Sequence, residues 1–371
     1  MHIVCLDNPW PPDYGGAIDM MNRIKALYDL GIRIHLHYFE YNARDRSKEL
    51  EKFCESINVY KRKTGWKSFS FLTPYIVKSR ISNELIANLR KDEYPVLLEG
   101  IHCTGVIPHL NKTRKIVVRM HNEESIYYKE LARSASSILK KLYFNFESYR
   151  LKKYNSNLAR HCIYAFISEN DQRIFQEKYK LNKTKFLPAF SGWQTVESIE
   201  GMGNFCLYHA NLSITENEQA AIWLSKKVFN KSKLPLIIAG KRPSDHLKKT
   251  LHQNKNCSLV ADPSEKELRD LIMNAQINIL LSVNKKATGI RFKLLHALYQ
   301  GRHCIVNKNM IAGTDLESTC YLVADSNSTL SRLSELFDKP FKNEDIVFRK
   351  KLLEDVYDNK KNAQQLITWL Y

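Results

Sequence analysis

Apolar runs of strand length alternate with longer stretches of helical spacing along nearly the whole chain, the pattern of parallel sheets built from strand–helix–strand units. In the first half the candidate strands are His2–Leu6, Ile32–Phe39, Val96–Leu98, Lys115–Met120 and Ile163–Ile167. In the second they are Phe205–His209, Leu236–Ala239, Ser258–Val260, Ile277–Leu281 and Cys304–Val306. Ser168-x-x-Asp171, Thr215-x-x-Glu218 and Ser264-x-x-Glu267 predict helix starts, because a hydroxyl there accepts from free backbone N–H groups and a carboxylate three residues on completes the cap. Long helical patterns cover 136–160 and 359–371. Turn formers at Pro188-Ala189-Phe190-Ser191-Gly192 break the alternation and predict a hinge. The expected organisation is α/β, with one Rossmann-like domain over 1–190 and a second over 191–358. The helix 359–371 is then available to pack back on the first.

Length agrees, since 371 residues suit two α/β cores better than one. No window approaches the roughly 18 uncharged apolar residues of a membrane span. The start, Met1-His2-Ile3-Val4-Cys5-Leu6, runs directly into a strand pattern without the marks of an export signal, which predicts a cytoplasmic protein. Eight cysteines stand singly with no CxxC spacing, so reduced, buried thiols are expected. The net charge of +18 is uneven: residues 1–190 hold 32 Lys+Arg against 20 Asp+Glu. Such a field attracts a diphosphate substrate, an anionic membrane surface or nucleic acid. Nucleic acid is the least favoured, because no RNA- or DNA-binding module is present.

Open parallel sheets bind ligands outside the carboxyl ends of their strands, so the chemistry should follow strands directly. After the first strand, Gly15-Gly16 opens a helical segment. The pair serves either a tight turn or the approach of backbone N–H groups to a phosphate or sugar hydroxyl. His121 and Asn122 follow the strand Lys115–Met120, and Glu99 ends the strand Val96–Leu98, where it can cap a helix or line the same edge. In the second half, Thr288 is expected to cap a helix whose first turn carries Gly289, Ile290, Arg291 and Lys293. Cations at a helix N-terminus oppose its dipole, a conflict that a diphosphate removes; the alternative is a solvated basic face.

Together these segments resemble the GT-B superfamily, and within it the retaining, nucleotide-sugar-dependent glycosyltransferases of bacterial polysaccharide synthesis. The resemblance spans Pro11-Pro12-x-x-Gly15-Gly16, His121-Asn122, Phe166-Ile167-Ser168-Glu169, Tyr208-His209-Ala210-Asn211-Leu212, Ile237-Ile238-Ala239-Gly240 and Gly289 through Gly301. It implies two Rossmann-like domains facing each other across a cleft. It also implies a nucleotide diphosphate sugar as donor substrate rather than a cofactor, and a glycan or lipid-linked acceptor. His121, Arg291 and Lys293 then take catalytic roles, while Gly15, Gly16, Glu99, Asn122, Thr288, Gly289, Ile290 and His296 bind substrate. Two departures stand out. Thr288 and His296 occupy places where the group commonly has glutamates, and Ala210-Asn211-Leu212-Ser213-Ile214-Thr215 lacks the customary Arg and Lys. These departures keep a non-catalytic scaffold or a nucleotide-sugar epimerase open as alternatives. No Asp-x-Asp pair occurs, so a metal-independent reaction is expected, with protein cations stabilising the leaving diphosphate. Two basic and aromatic stretches of the first domain, Lys61–Phe69 and Lys140–Phe146, suit peripheral contact with an anionic membrane or ordinary amphipathic surface.

Overall fold

The structure is a computed structural model that describes residues 1–40, 48–135, 137–283 and 290–371, apart from the side chains of Trp66 and Lys67. The chain separates into two compact units, the first built from Met1–Gly192 with Ile290 and Tyr357–Tyr371 and the second from Trp193–Ala287 with Arg291–Val356.

Among its described residues the first unit holds seven strands: β1 (His2–Cys5), β2 (His35–Glu40), β3 (Ser56–Lys61), β4 (Val96–Glu99), β5 (Ile116–Met120), β6 (Ile163–Phe166) and β7 (Thr184–Phe186). They form one sheet in the order β3-β2-β1-β4-β5-β6-β7, every pairing parallel. The central strands are buried on both faces, so alternate side chains feed two separate cores. Val4, Leu98, Val118 and Phe166 enter one. Ile3, Leu97, Val117 and Ala165 enter the other, which is closed by Met20, Ile24 and Leu27 of helix Gly15–Asp29 and by Ala363, Leu366 and Leu370 of helix Asn359–Leu370.

The second unit repeats the scheme with β8 (Cys206–Asn211), β9 (Leu236–Lys241), β10 (Cys257–Ala261), β11 (Ile277–Leu280), β12 (His303–Asn307) and β13 (Tyr321–Val323) in the order β10-β9-β8-β11-β12-β13. Its pairings are also parallel. In both sheets the strand order reverses once, between β1 and β4 and between β8 and β11, and such a switch point opens a crevice at the carboxyl ends of the strands.

Three strands, β3, β7 and β13, have no counterpart in the sequence reading. All three sit at sheet edges; β3 mixes polar with apolar residues, and β7 and β13 are only three residues long. Ser168 and Ser264 cap their helices as expected, Ser264 through a reciprocal box with Glu267. Thr215 does not: its helix, Thr215–Trp223, has Ile214 at the cap position. The helical pattern over 136–160 resolves into helix Ile138–Ser156, preceded by a separate helix Glu124–Ser134. All eight cysteines are free thiols, five of them buried. Among the described residues no helix is long and apolar enough to cross a membrane.

Candidate functional site

In the first unit, charged side chains from three elements meet beneath the carboxyl edge of β4 and β5. Asp19 and Arg23, one turn apart on helix Gly15–Asp29, are ion-paired at 2.6 Å and buried. Arg23 also donates to Glu99 at the end of β4, and Arg119 of β5 donates to Asp19 at 3.1 Å. The Phe190 backbone N–H adds a 2.8 Å bond to the Asp19 carboxylate. Burial alone would raise both carboxyls. The Arg119 and Arg23 guanidiniums outweigh it at Asp19, and Arg23 with the His121 bond outweighs it at Glu99, so both are held below the usual carboxylate range.

This network ends at the surface in one group. His121, just past β5, has Nε2 2.9 Å from Glu99 Oε2 and Nδ1 3.8 Å from Asp19 Oδ2, while its side chain keeps 12% exposure. The imidazole is thus oriented from beneath by carboxylates whose own charge is balanced by buried arginines. Asp19, Glu99 and His121 bring potential ligand atoms within 4.8 Å of one another. Both carboxylates, however, already accept from guanidinium groups, so a cation there would have to break buried ion pairs.

Next to His121, Asn122 bonds Glu124 at 3.4 Å, and burial lifts the Glu124 carboxyl to about 7. Glu123 caps helix Glu124–Ser134 and is braced by Ser125, Asn155 and Tyr179. Arg80 reaches the same edge, donating to the Leu6 carbonyl just beyond β1. Gly15 and Gly16 form the first turn of their helix, and neither takes a positive φ, so the tight-turn reading of the pair is replaced by a half-buried helix start. A Cβ on Gly16 would lie 2.9 Å from the Tyr14 ring, so the bare backbone is what this start accommodates.

In the second unit the corresponding edge gathers His209 (β8), Glu216 and Asn217 (helix Thr215–Trp223), Ser282 (after β11), and Arg291, Lys293 and His296. The last helix opens at Phe292, later than the sequence suggests. Arg291 occupies its cap position and Lys293 its first turn, while Thr288 and Gly289, expected at the cap, lie outside the described residues. Ile290, which belongs to the first unit, is half-buried. Lys293 donates to Asn217 at 3.0 Å and lies 5.4 Å from the Tyr208 ring centre. Burial, helped by the Arg291 charge, lowers its ammonium to about 8. Arg291 lies 3.7 Å from Glu216, which also accepts from Ser282.

His296 bonds Gln300 at 2.8 Å, stacks on Trp193 at 4.3 Å and meets His209 edge-on at 5.7 Å. Burial lowers His296 to about 4 and holds His209 well below the usual imidazole range, so both are neutral at pH 7. Among the described residues, the buried His209 Nε2 and Arg291 Nε have no hydrogen-bond partner. Glu216 thus brings a carboxylate to this edge beside the cation Arg291, and Lys293 stands in the first turn of the helix that Arg291 precedes.

Of the residues singled out in the sequence, the structure joins Glu99 to His121 in the first unit, and there Glu99 pairs with Arg23 instead of capping a helix. Asp19, Arg23, Arg119, Glu124, Trp193 and Glu216 escaped the sequence reading. The available signals were an Asp–Arg pair four apart inside an apolar helical stripe and a lone arginine within the buried strand Ile116–Met120.

Two doubly wound parallel sheets in one chain, each with its polar groups at the carboxyl edge, make this the GT-B fold. No family model matches the chain. It is 26% identical over 319 residues to an uncharacterized 44.6 kDa protein in the cps region of Klebsiella pneumoniae, covering 80% of this chain and 79% of that one. Among solved structures, sucrose-phosphate synthase from Thermosynechococcus elongatus superimposes with a TM-score of 0.70 at 12% identity, covering 99% of this chain and 98% of that one. Anabaena HepE, in complex with UDP and glucose, gives 0.65 at 12% identity, covering 99% and 98%.

Proposed function

We infer that this chain is a glycosyltransferase moving a sugar from a nucleoside diphosphate sugar to a glycan or lipid-linked acceptor. The observation that carries the reading is the Arg291–Lys293 pair at the start of helix Phe292–Gln300. Two cations beside the positive end of a helix dipole are locally unfavourable by a few tenths of a kcal/mol each, roughly, and a bound diphosphate reverses the sign of that interaction. The structure of HepE with UDP and glucose supports a donor of this class.

The chemistry follows from the charges. As the donor's glycosidic bond breaks, negative charge grows on the departing diphosphate, and Lys293 and Arg291 stabilise it where burial weakens competition from water. Glu216 offers acceptor oxygens for donor hydroxyls. In the first unit His121, steadied by Glu99, contacts a sugar hydroxyl, and the helix start at Gly15-Gly16 offers free N–H groups. With protein cations placed this way the reaction needs no divalent ion. It retains configuration, the leaving phosphate taking the acceptor proton on the same face.

The acceptor side draws on an exposed apolar surface of the first unit. Phe71 (78% exposed) and Leu72 (84%) are exposed, as are Ile138 (75%) and Leu139 (78%), which Lys140 and Lys141 follow directly. Arg150 ties the two stretches together by donating to the Ser70 and Thr73 carbonyls from helix Ile138–Ser156. Apolar side chains rimmed by lysines suit the interface of an anionic membrane, where a lipid-linked acceptor resides.

The test is a thermal-shift screen against UDP, GDP, ADP, CMP and their sugar conjugates without added metal, with Lys293→Ala in parallel. A rise of several degrees with one nucleotide, lost in the variant, is expected. No rise with any nucleotide refutes the donor site.

A further inference from the structure

At the opposite edge of the first sheet, where β5, β6 and β7 begin, lies a recess of about 470 Å³. Lys112, Lys115, Lys183 and Lys185 are exposed around it, and the half-buried indole of Trp369, from helix Asn359–Leu370, forms part of its wall. None of its described lining residues is acidic. Lys183 reaches the His161 carbonyl at 3.4 Å, and the shielded His161 Nε2 has no hydrogen-bond partner among the described residues. Arg114, at the same edge, is already committed to Asp92 and to the Leu89 and Tyr94 carbonyls, so the lysines carry the accessible charge. Four like charges around one concavity repel one another, and a polyanion relieves that repulsion while gaining from each ammonium.

We propose that this recess binds an acidic saccharide chain, separately from the carboxyl-edge site of the same sheet. Lysine ammoniums are compact point charges that take carboxylates in many orientations, as a flexible polymer presents them. The indole, fixed against the core by its neighbours, gives a flat apolar surface for the C–H face of a pyranose ring. Strand β5, five residues long, sets the two edges about 15 Å apart, so a polymer held here leaves the His121 edge open. The choice of a saccharide over other polyanions rests on the sugar-transfer reading. The binding itself does not.

Calorimetric titration of the full chain with hexagalacturonate, at physiological salt, tests the proposal against neutral maltohexaose, inorganic phosphate and a short oligothymidylate. Hexagalacturonate is expected to bind, to weaken at least tenfold in the double variant Lys115→Glu, Lys183→Glu, and to weaken also in Trp369→Leu. Maltohexaose should not bind. Absent binding of hexagalacturonate, equal binding of maltohexaose, or an affinity unchanged in the double variant overturns the site. Tighter binding of oligothymidylate or of phosphate alone overturns the saccharide assignment. Nucleotide thermal shifts on the same samples keep the readings apart: no shift in the wild type sinks the sugar-transfer reading while the titration still decides the recess.

Discussion

Acidification from pH 7 to 5 should remove about 2 kcal/mol of folding free energy through one buried imidazole, His37. The residue is 1% exposed on β2 and sits in a line of hydrogen bonds that runs along the first sheet. Asn88 Nδ2 donates to the Tyr60 hydroxyl at 2.9 Å, so Tyr60 has its own hydrogen to give to His37 Nδ1, also at 2.9 Å. His37 Nε2–H then donates to His2 Nδ1 at 2.8 Å, and His2 Nε2–H to Asp92 at 3.0 Å. Every donor and acceptor in the line is used when both imidazoles are neutral. A proton on His37 would turn the Tyr60 hydroxyl away from its acceptor. Burial, reinforced by His2 and His35, lowers His37 from 6.5 to about 3.

The unfolded chain binds that proton below pH 6.5 and the folded chain refuses it. The contribution is therefore complete above 6.5 and is lost as pH falls toward 3. At pH 5 the loss is about 1.4 kcal/mol per unit over about 1.5 units, which gives the figure above. His2, lowered mainly by burial, adds in the same direction. Urea unfolding followed by circular dichroism at pH 7, 6 and 5, on the wild type and on His37→Gln, measures the difference. The variant should start less stable and lose about 2 kcal/mol less across the interval. Parallel pH dependences for the two proteins would refute the argument.

Other consequences can be measured with equal directness. Asp19→Asn leaves Arg23 and Arg119 without a balancing charge in the core, and should cost roughly 3–5 kcal/mol in urea titration; a loss under about 1 kcal/mol would mean the network is not structural. Because Lys293 titrates near 8 in the folded chain, its charge is complete well below that pH and lost above it. Nucleotide affinity should accordingly fall by up to about tenfold per unit above pH 8, a slope that Lys293→Arg should flatten and calorimetry can follow. Gly240→Ala would drive a Cβ into the Ala210 carbonyl and the Leu212 side chain between β8 and β9, and should leave little soluble protein or cost about 3 kcal/mol. Leu139→Asp with Phe71→Asp should abolish flotation with anionic vesicles; undiminished flotation would move the acceptor reading away from the membrane.

The periodicity of apolar residues was enough to mark ten of the thirteen strands among the described residues and the α/β class, because a central strand buried on both faces is apolar along most of its length whatever its neighbours are. Helix caps at Ser168 and Ser264 were legible for the same local reason: donor and acceptor lie three residues apart. His121 could be placed at a strand end, which is also a local property. Its orientation could not, since Glu99 and Asp19 reach it from 22 and 102 positions away in the chain, and nothing in their own neighbourhoods announces the partner. From the sequence Glu99 could either cap a helix or line the edge beside His121; only the parallel pairing of β4 with β1 and β5 brings Arg23 and His121 to it. Likewise the lysines around Trp369 come from β7 and the segments that lead into β5 and β7, and the indole from the terminal helix, brought together by the strand order. Local chemistry is written in neighbouring residues. A site assembled from distant ones exists only once the sheet order has set which strands stand side by side.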